Sequence, residues 1–214
     1  MTRIVILGGT GYAGTAIATE AASRGHEVTV FSRSAPEEPV AGVTSITGSA
    51  RDHSDLERAV TGADVVVVSL APSGDLDGEF VRVNADIANL AQEHGARLGV
   101  VGGAGTLLLS AEGPKAHESP YFPAEFRPYS EASDAVLQAL RSSDPELDWF
   151  VLSPPRGFGR FAPADTTGHY RVGGDVVMSS GETPAAISVA DFAVAFVDEI
   201  ELPTHQRERF TVAH

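Results

Sequence analysis

A doubly wound α/β sheet is the fold this sequence predicts, on three observations. Apolar segments of strand length alternate with helical patterns along most of the 214 residues. Several of the strand-like segments, Val65-Val66-Val67-Val68 above all, are apolar without interruption and so demand cover on both faces. The first of them runs directly into Gly8, Gly9, Gly11 and Gly14, with a helical pattern behind. Apolar strands joined by helical crossovers imply a parallel sheet with helices on both sides.

Each element has its own justification. Residues 4–7 are a short buried strand, and the helix after the glycines runs from about 16 to 24 with Gly25 as its cap. Residues 27–31 form the second strand, ending at Ser32-Arg33, and 43–47 the third, closed by Gly48. A short helix follows over 52–61, capped by Asp52 or Ser54. The valine strand spans 64–70. The helix over 79–93 carries Phe80, Val83, Ile87, Leu90 and Ala91 on one stripe. The fifth strand, 97–101, breaks into Gly102-Gly103-Ala104-Gly105. From 106 to 128 the periodicity is lost among four prolines and the aromatics Tyr121, Phe122 and Phe126. A connection of this length reads equally as a surface excursion or a lid. A helix over 129–141 and a sixth strand over 149–152 follow, the latter stopped by Ser153-Pro154-Pro155. Extended pieces near 169–172 and 175–178, a helix over 189–201 and a closing strand over 209–212 complete the chain. Without repeats or a low-complexity linker, 1–214 reads as one domain.

Composition excludes several function classes. Fifteen basic against 29 acidic residues leave a net charge of −14, which disfavours nucleic acid and anionic membranes as partners. The absence of cysteine rules out disulfides and thiolate chemistry. A mean hydropathy of −0.01, and a first strand that begins almost at the first residue, give a cytoplasmic protein as the expectation.

The order strand, glycine turn, helix is what a dinucleotide pyrophosphate requires. Glycines allow the tight turn, the close approach of backbone to phosphate and the packing of helix on strand, while the helix N-terminus offers free N–H groups. Both G-x-G-x-x-G (Gly9, Gly11, Gly14) and G-x-x-G-x-x-G (Gly8, Gly11, Gly14) are satisfied. At the end of the second strand an acidic residue would hold the adenosine ribose and favour NAD. Ser32 and Arg33 stand there instead and suit a 2′-phosphate, hence NADP.

Gly8–Gly14, Ser32-Arg33 and the segments 100–105, 147–155 and 187–195 together resemble the atypical short-chain dehydrogenase/reductases. The nearest branch is the NAD(P)H-flavin reductases, related to flavin/biliverdin reductases and NmrA-like proteins. The resemblance covers nearly the whole chain. It implies a Rossmann core with a small C-terminal part, about 155–190, covering the nicotinamide end. It further implies that Thr10, Gly11, Tyr12 and Ala13 present backbone and hydroxyl to the pyrophosphate. Leu70, Ala71 and Pro72 would lie beside ribose and nicotinamide, Gly102 and Gly103 at the reaction centre, and Pro154 over the nicotinamide. Where the family often has Gly-Asp after the third strand, this chain has Gly48-Ser49.

A second departure concerns catalysis. Typical members use Tyr-x-x-x-Lys, but the fourth residue after Tyr129 is Ser133. Tyr129 is the candidate catalytic residue by position, but without the lysine a core or lid aromatic is the better reading of it. Without the lysine, alcohol–ketone interconversion is disfavoured, whereas hydride transfer to a flavin or quinone can take its proton from water. The seven histidines show no metal-ligand spacing, so no metal is expected, although His117 and His169 could reach the nicotinamide end. No G-x-S-x-G or phosphate-loop lysine is present. Two function classes follow: an NADPH-dependent reductase of a small conjugated acceptor, acting as monomer or homodimer, or a non-catalytic NADP(H) sensor of the NmrA-like type.

Overall fold

The computed structural model describes residues 1–181 and 183–214, so residue 182, inside the expected cover, lies outside the described residues. The strands are β1 (Arg3–Leu7), β2 (Glu27–Ser32), β3 (Val43–Thr47), β4 (Val65–Val68), β5 (Arg97–Val101), β6 (Trp149–Ser153), β7 (Arg171–Gly173), β8 (Ser179–Ser180), β9 (Thr183–Pro184) and β10 (Glu208–Ala213). The helices are α1 (Tyr12–Ser23), α2 (His53–Val60), α3 (Phe80–Glu93), α4 (Arg127–Arg141) and α5 (Val189–Glu201). One sheet has the order β3-β2-β1-β4-β5-β6-β10-β7, and β8 pairs with β9 separately. Its strands are parallel except β7, which runs antiparallel along β10. This is the predicted Rossmann-type fold.

Alternation of side chains divides the core between the two faces of the sheet. Val5, Leu7, Val66, Val68, Val100 and Val151 pack under α2, α3 and α4. Ile4, Ile6, Val28, Val30, Val65, Val67 and Phe150 pack under α1 and α5. Val5, Val30, Val66, Val67, Val100 and Val151 are all buried, as continuous apolar strands require. Among the described residues no helix is long and apolar enough to cross a membrane.

Several elements differ from expectation in their bounds, or take one of two expected forms. Helix α1 begins at Tyr12, four residues early, with Gly11 as N-cap. Residues 175–178 form no strand; Val176 makes only an isolated bridge to Leu108. The segment 106–128 is a packed excursion with two short 3-10 turns, Ala116–Glu118 and Ala124–Phe126. Leu107 and Ala116 are buried in it, Ala116 N–H donates to the Leu107 carbonyl at 2.7 Å, and Arg209 of β10 donates to the Thr106 carbonyl at 3.1 Å.

Candidate dinucleotide-binding site

Sheet order reverses between β1 and β4, and the glycine turn after β1 stands at that switch point, where open parallel sheets bind ligands. Gly8 takes φ +85°, and a β-carbon there would lie 2.4 Å from the Ser69 carbonyl oxygen. Gly14 lies in the first turn of α1, where a β-carbon would come within 2.3 Å of the Gly8 carbonyl oxygen. Only glycine therefore lets β1, β4 and α1 meet this closely. The helix start is free of acidic side chains, as an anion site requires.

Of the predicted residues, Gly8, Thr10, Gly11, Ser32, Arg33, Leu70 and Ala71 line one cavity of about 310 Å³. Tyr12, Ala13 and Gly14 form the helix start beside it, with Ala13 and Gly14 buried. Pro72 lies outside this cavity, in a cleft with Leu76, Phe80 and Tyr129. Gly102 and Gly103 border a narrow crevice at the end of β5 with Phe80, Thr106 and Ser133, and Pro154 is buried just after β6. These positions thus share the carboxyl edge of the sheet but not one cavity.

Asp75 and Arg51, which no sequence motif singles out, line the same cavity as Arg33. Asp75 sits on the turn Gly74–Leu76 after β4 and pairs with Arg33 at 2.5 Å. Arg51 follows β3, two residues beyond Ser49, which stands where the family often has an acid. The rule that ligands gather at strand ends would have pointed to both loops, though not to either side chain.

Tyr129 is 40% exposed, and its carbonyl accepts from the Ser133 hydroxyl at 2.9 Å. The chain's one lysine, Lys115, pairs with Asp134, so no lysine from elsewhere in the fold replaces the missing one. His117 is buried, with Nδ1 2.9 Å from the Gly105 carbonyl oxygen. His169 is exposed and lines neither cavity beside the glycine turn.

The segment after β6 returns to the glycine turn. The Phe158 ring lies 5.4 Å from Tyr12 and 4.6 Å from Phe192 of α5, and Arg160 stands 5.4 Å over the Tyr12 ring. Arg160 also borders a second cavity of about 380 Å³, with Gly9, Thr10, Thr15, Glu37 and Glu38. Buried Asp191 anchors the far end of this segment, accepting from the N–H groups of Thr167 and Gly168 and from the Ser188 hydroxyl at 2.8–2.9 Å. Burial pushes the Asp191 carboxyl up, but these donors and His214 outweigh it and hold it at about 2.

A glycine-turned cradle at the switch point of a parallel sheet defines a NAD(P)H-binding protein. The sequence pattern of a family described as NAD(P)H-binding matches residues 8–200, and the chain belongs to that family. YwnB of Bacillus subtilis (strain 168), an uncharacterised protein, is 34% identical over 215 residues, covering 98% of this chain and 97% of its own. A Burkholderia pseudomallei structure described as a candidate exported protein is 32% identical with a TM-score of 0.87, covering 100% of both chains. A Streptococcus pneumoniae TIGR4 structure described as a candidate NADH-flavin reductase is 28% identical, also with a TM-score of 0.87 and 100% coverage of both chains.

Proposed function

We propose that this protein is an NADPH-dependent oxidoreductase that delivers hydride to a flavin, a quinone or a similarly conjugated small molecule. One observation carries the reading: the glycine turn, Ser32 and Arg33 line one cavity at the switch point of the sheet, while Tyr129 in the neighbouring cleft has no lysine partner. Gly11 and the N–H groups of Tyr12 and Ala13 bind the pyrophosphate at the start of α1. Arg33 and Ser32 bind the 2′-phosphate at the end of β2. Leu70, Ala71 and Pro72 of one strand end, Gly102 and Gly103 of the next, and Pro154 orient the nicotinamide ring. When bound, the cofactor supplies the hydride. The segment after β6, fixed through Phe158 and Asp191, excludes water from the reacting faces, and positioning is the protein's main contribution. The likeness to a candidate flavin reductase supports this acceptor class.

Cofactor choice gives the first test. Arg33→Ala weakens NADPH binding by about 1.5–3 kcal/mol, the scale of a hydrogen bond to a charged group, and leaves NADH nearly unchanged. Fluorescence titration of both cofactors reads this directly. Equal losses would show that Arg33 does not read the 2′-phosphate.

Catalysis gives the second. Tyr129→Phe changes turnover with a flavin or quinone acceptor by well under the roughly 10²–10⁴-fold cost of a lost general acid–base. A collapse of turnover with cofactor affinity intact would restore a dehydrogenase-like role to Tyr129 and make a ketone the better substrate.

A further inference from the structure

The structure assigns to Asp75 a part in cofactor selection, as the built-in counter-ion that a 2′-phosphate must displace from Arg33. The inference rests on the reading of Arg33 as the 2′-phosphate residue and adds its competitor. Asp75 and Arg33 lie on separate strand-end loops, after β4 and β2, and meet across one cavity with 2.5 Å between Oδ2 and the guanidinium nitrogen. Both side chains remain substantially exposed, at 57% and 73%. An exposed ion pair of this kind is weak and screened by salt, so it does not lock Arg33 away. It does make Arg33 a group that must change partners when a phosphate arrives.

The charge balance of the cavity makes this competition selective. Arg51 lines the same cavity and makes no side-chain ion pair or hydrogen bond among the described residues. The walls therefore carry two guanidiniums and one carboxylate. A 2′-phosphate brings close to two negative charges. It must take Arg33 from Asp75 and then sit near that carboxylate, so like-charge repulsion is added to the lost pair. A cofactor with a 2′-hydroxyl meets neither cost, because the Arg33–Asp75 pair can stay closed beneath it. Asp75 consequently narrows the preference for NADPH that Arg33 creates.

Titration of NADPH and NADH into the wild type, Asp75→Asn, Arg33→Ala and the double variant tests this, with thermal melting confirming that each is folded. Asp75→Asn should tighten NADPH about three- to tenfold at low ionic strength, somewhat beyond the scale of one exposed pair because repulsion is also relieved. The gain should shrink as salt is raised, and the NADPH-to-NADH affinity ratio should rise with it. In the Arg33→Ala background the same substitution should tighten NADPH by clearly less than in the wild type, because only the repulsion is left to relieve. An unchanged ratio in the single variant would overturn the proposal while leaving Arg33's role standing. A loss of NADH affinity of about tenfold would also overturn it, by showing that Asp75 accepts from the ribose hydroxyls. Failure of the underlying reading is separate, because it appears in Arg33→Ala alone as an equal loss of both cofactors.

Discussion

Gly11→Val abolishes binding of NADPH and NADH alike while the sheet remains folded. Gly11 caps α1 with φ −79° and ψ 174°, a backbone conformation open to valine, so the substitution does not strain the turn itself. Its β-carbon would stand 3.2 Å from the Gly8 carbonyl oxygen and 3.9 Å from that of Ser69. This is tight, but tolerable with small adjustment. The two methyl groups would then fill the cavity beside the first N–H groups of the helix, the proposed seat of the pyrophosphate. Losing two charge-assisted hydrogen bonds costs about 3–6 kcal/mol, which lowers affinity by more than ~100-fold. Gly14 would be a poorer probe, because a β-carbon there would meet the Gly8 backbone at 2.3 Å and disturb the fold. Fluorescence titration alongside circular dichroism checks the outcome. Retained binding within about tenfold of wild type would place the pyrophosphate elsewhere.

Glu199→Ala produces the largest loss of stability. At the opposite end of the sheet, the Arg97 guanidinium is buried at 8% exposure and the Glu199 carboxylate at 3%, and they pair at 2.6 Å. Glu199 also accepts from the Thr204 hydroxyl, the His205 N–H and the His205 ring at 2.8–3.0 Å. Removing the carboxylate leaves a buried cation without its main counter-ion, which costs about 3–5 kcal/mol. In a protein of this size that lowers Tm by about 6–20 °C. Burial pushes the Glu199 carboxyl up, but Arg97, His205 and Thr204 outweigh it and hold it at about 2. Because the folded value lies below the unfolded one, the stabilisation is complete above about pH 4.5 and fades as pH falls toward about 2. The gap between wild type and variant should therefore close in acid. Asp191, held low in the same sense, adds to the acid sensitivity of the wild type. A Tm change below about 2 °C at neutral pH, or a gap that widens in acid, would contradict the assignment.

Much of the frame was legible because its physics is local in sequence. Val65–Val68, Trp149–Ser153 and the other central strands are apolar enough to demand two-sided cover, and Asp52 caps α2 through the N–H groups of Ser54 and Asp55. What was misjudged depends on partners distant in the chain. The first turn of α1 contains Gly14, a poor helix former, and becomes helical because packing against β1 overrides propensity. Helix α4 starts two residues early, at Arg127-Pro128, where proline at the first turn is tolerated. The excursion over 106–128 is held by Arg209, 103 residues from Thr106. In the same way, the Arg33–Asp75 contact joins loops 42 residues apart and leaves no periodic trace.

Delivery of hydride from a positioned NADPH to a conjugated acceptor is read by following NADPH oxidation under anaerobic conditions. The purified protein is given riboflavin, its 5′-phosphate or a soluble quinone in turn, with a simple ketone as control. Saturable, acceptor-dependent loss of NADPH absorbance is expected with at least one conjugated acceptor and none with the ketone. That turnover should disappear in Gly11→Val and persist in Tyr129→Phe. Tight NADPH binding without turnover on any acceptor, or turnover confined to the ketone, would contradict the proposed function.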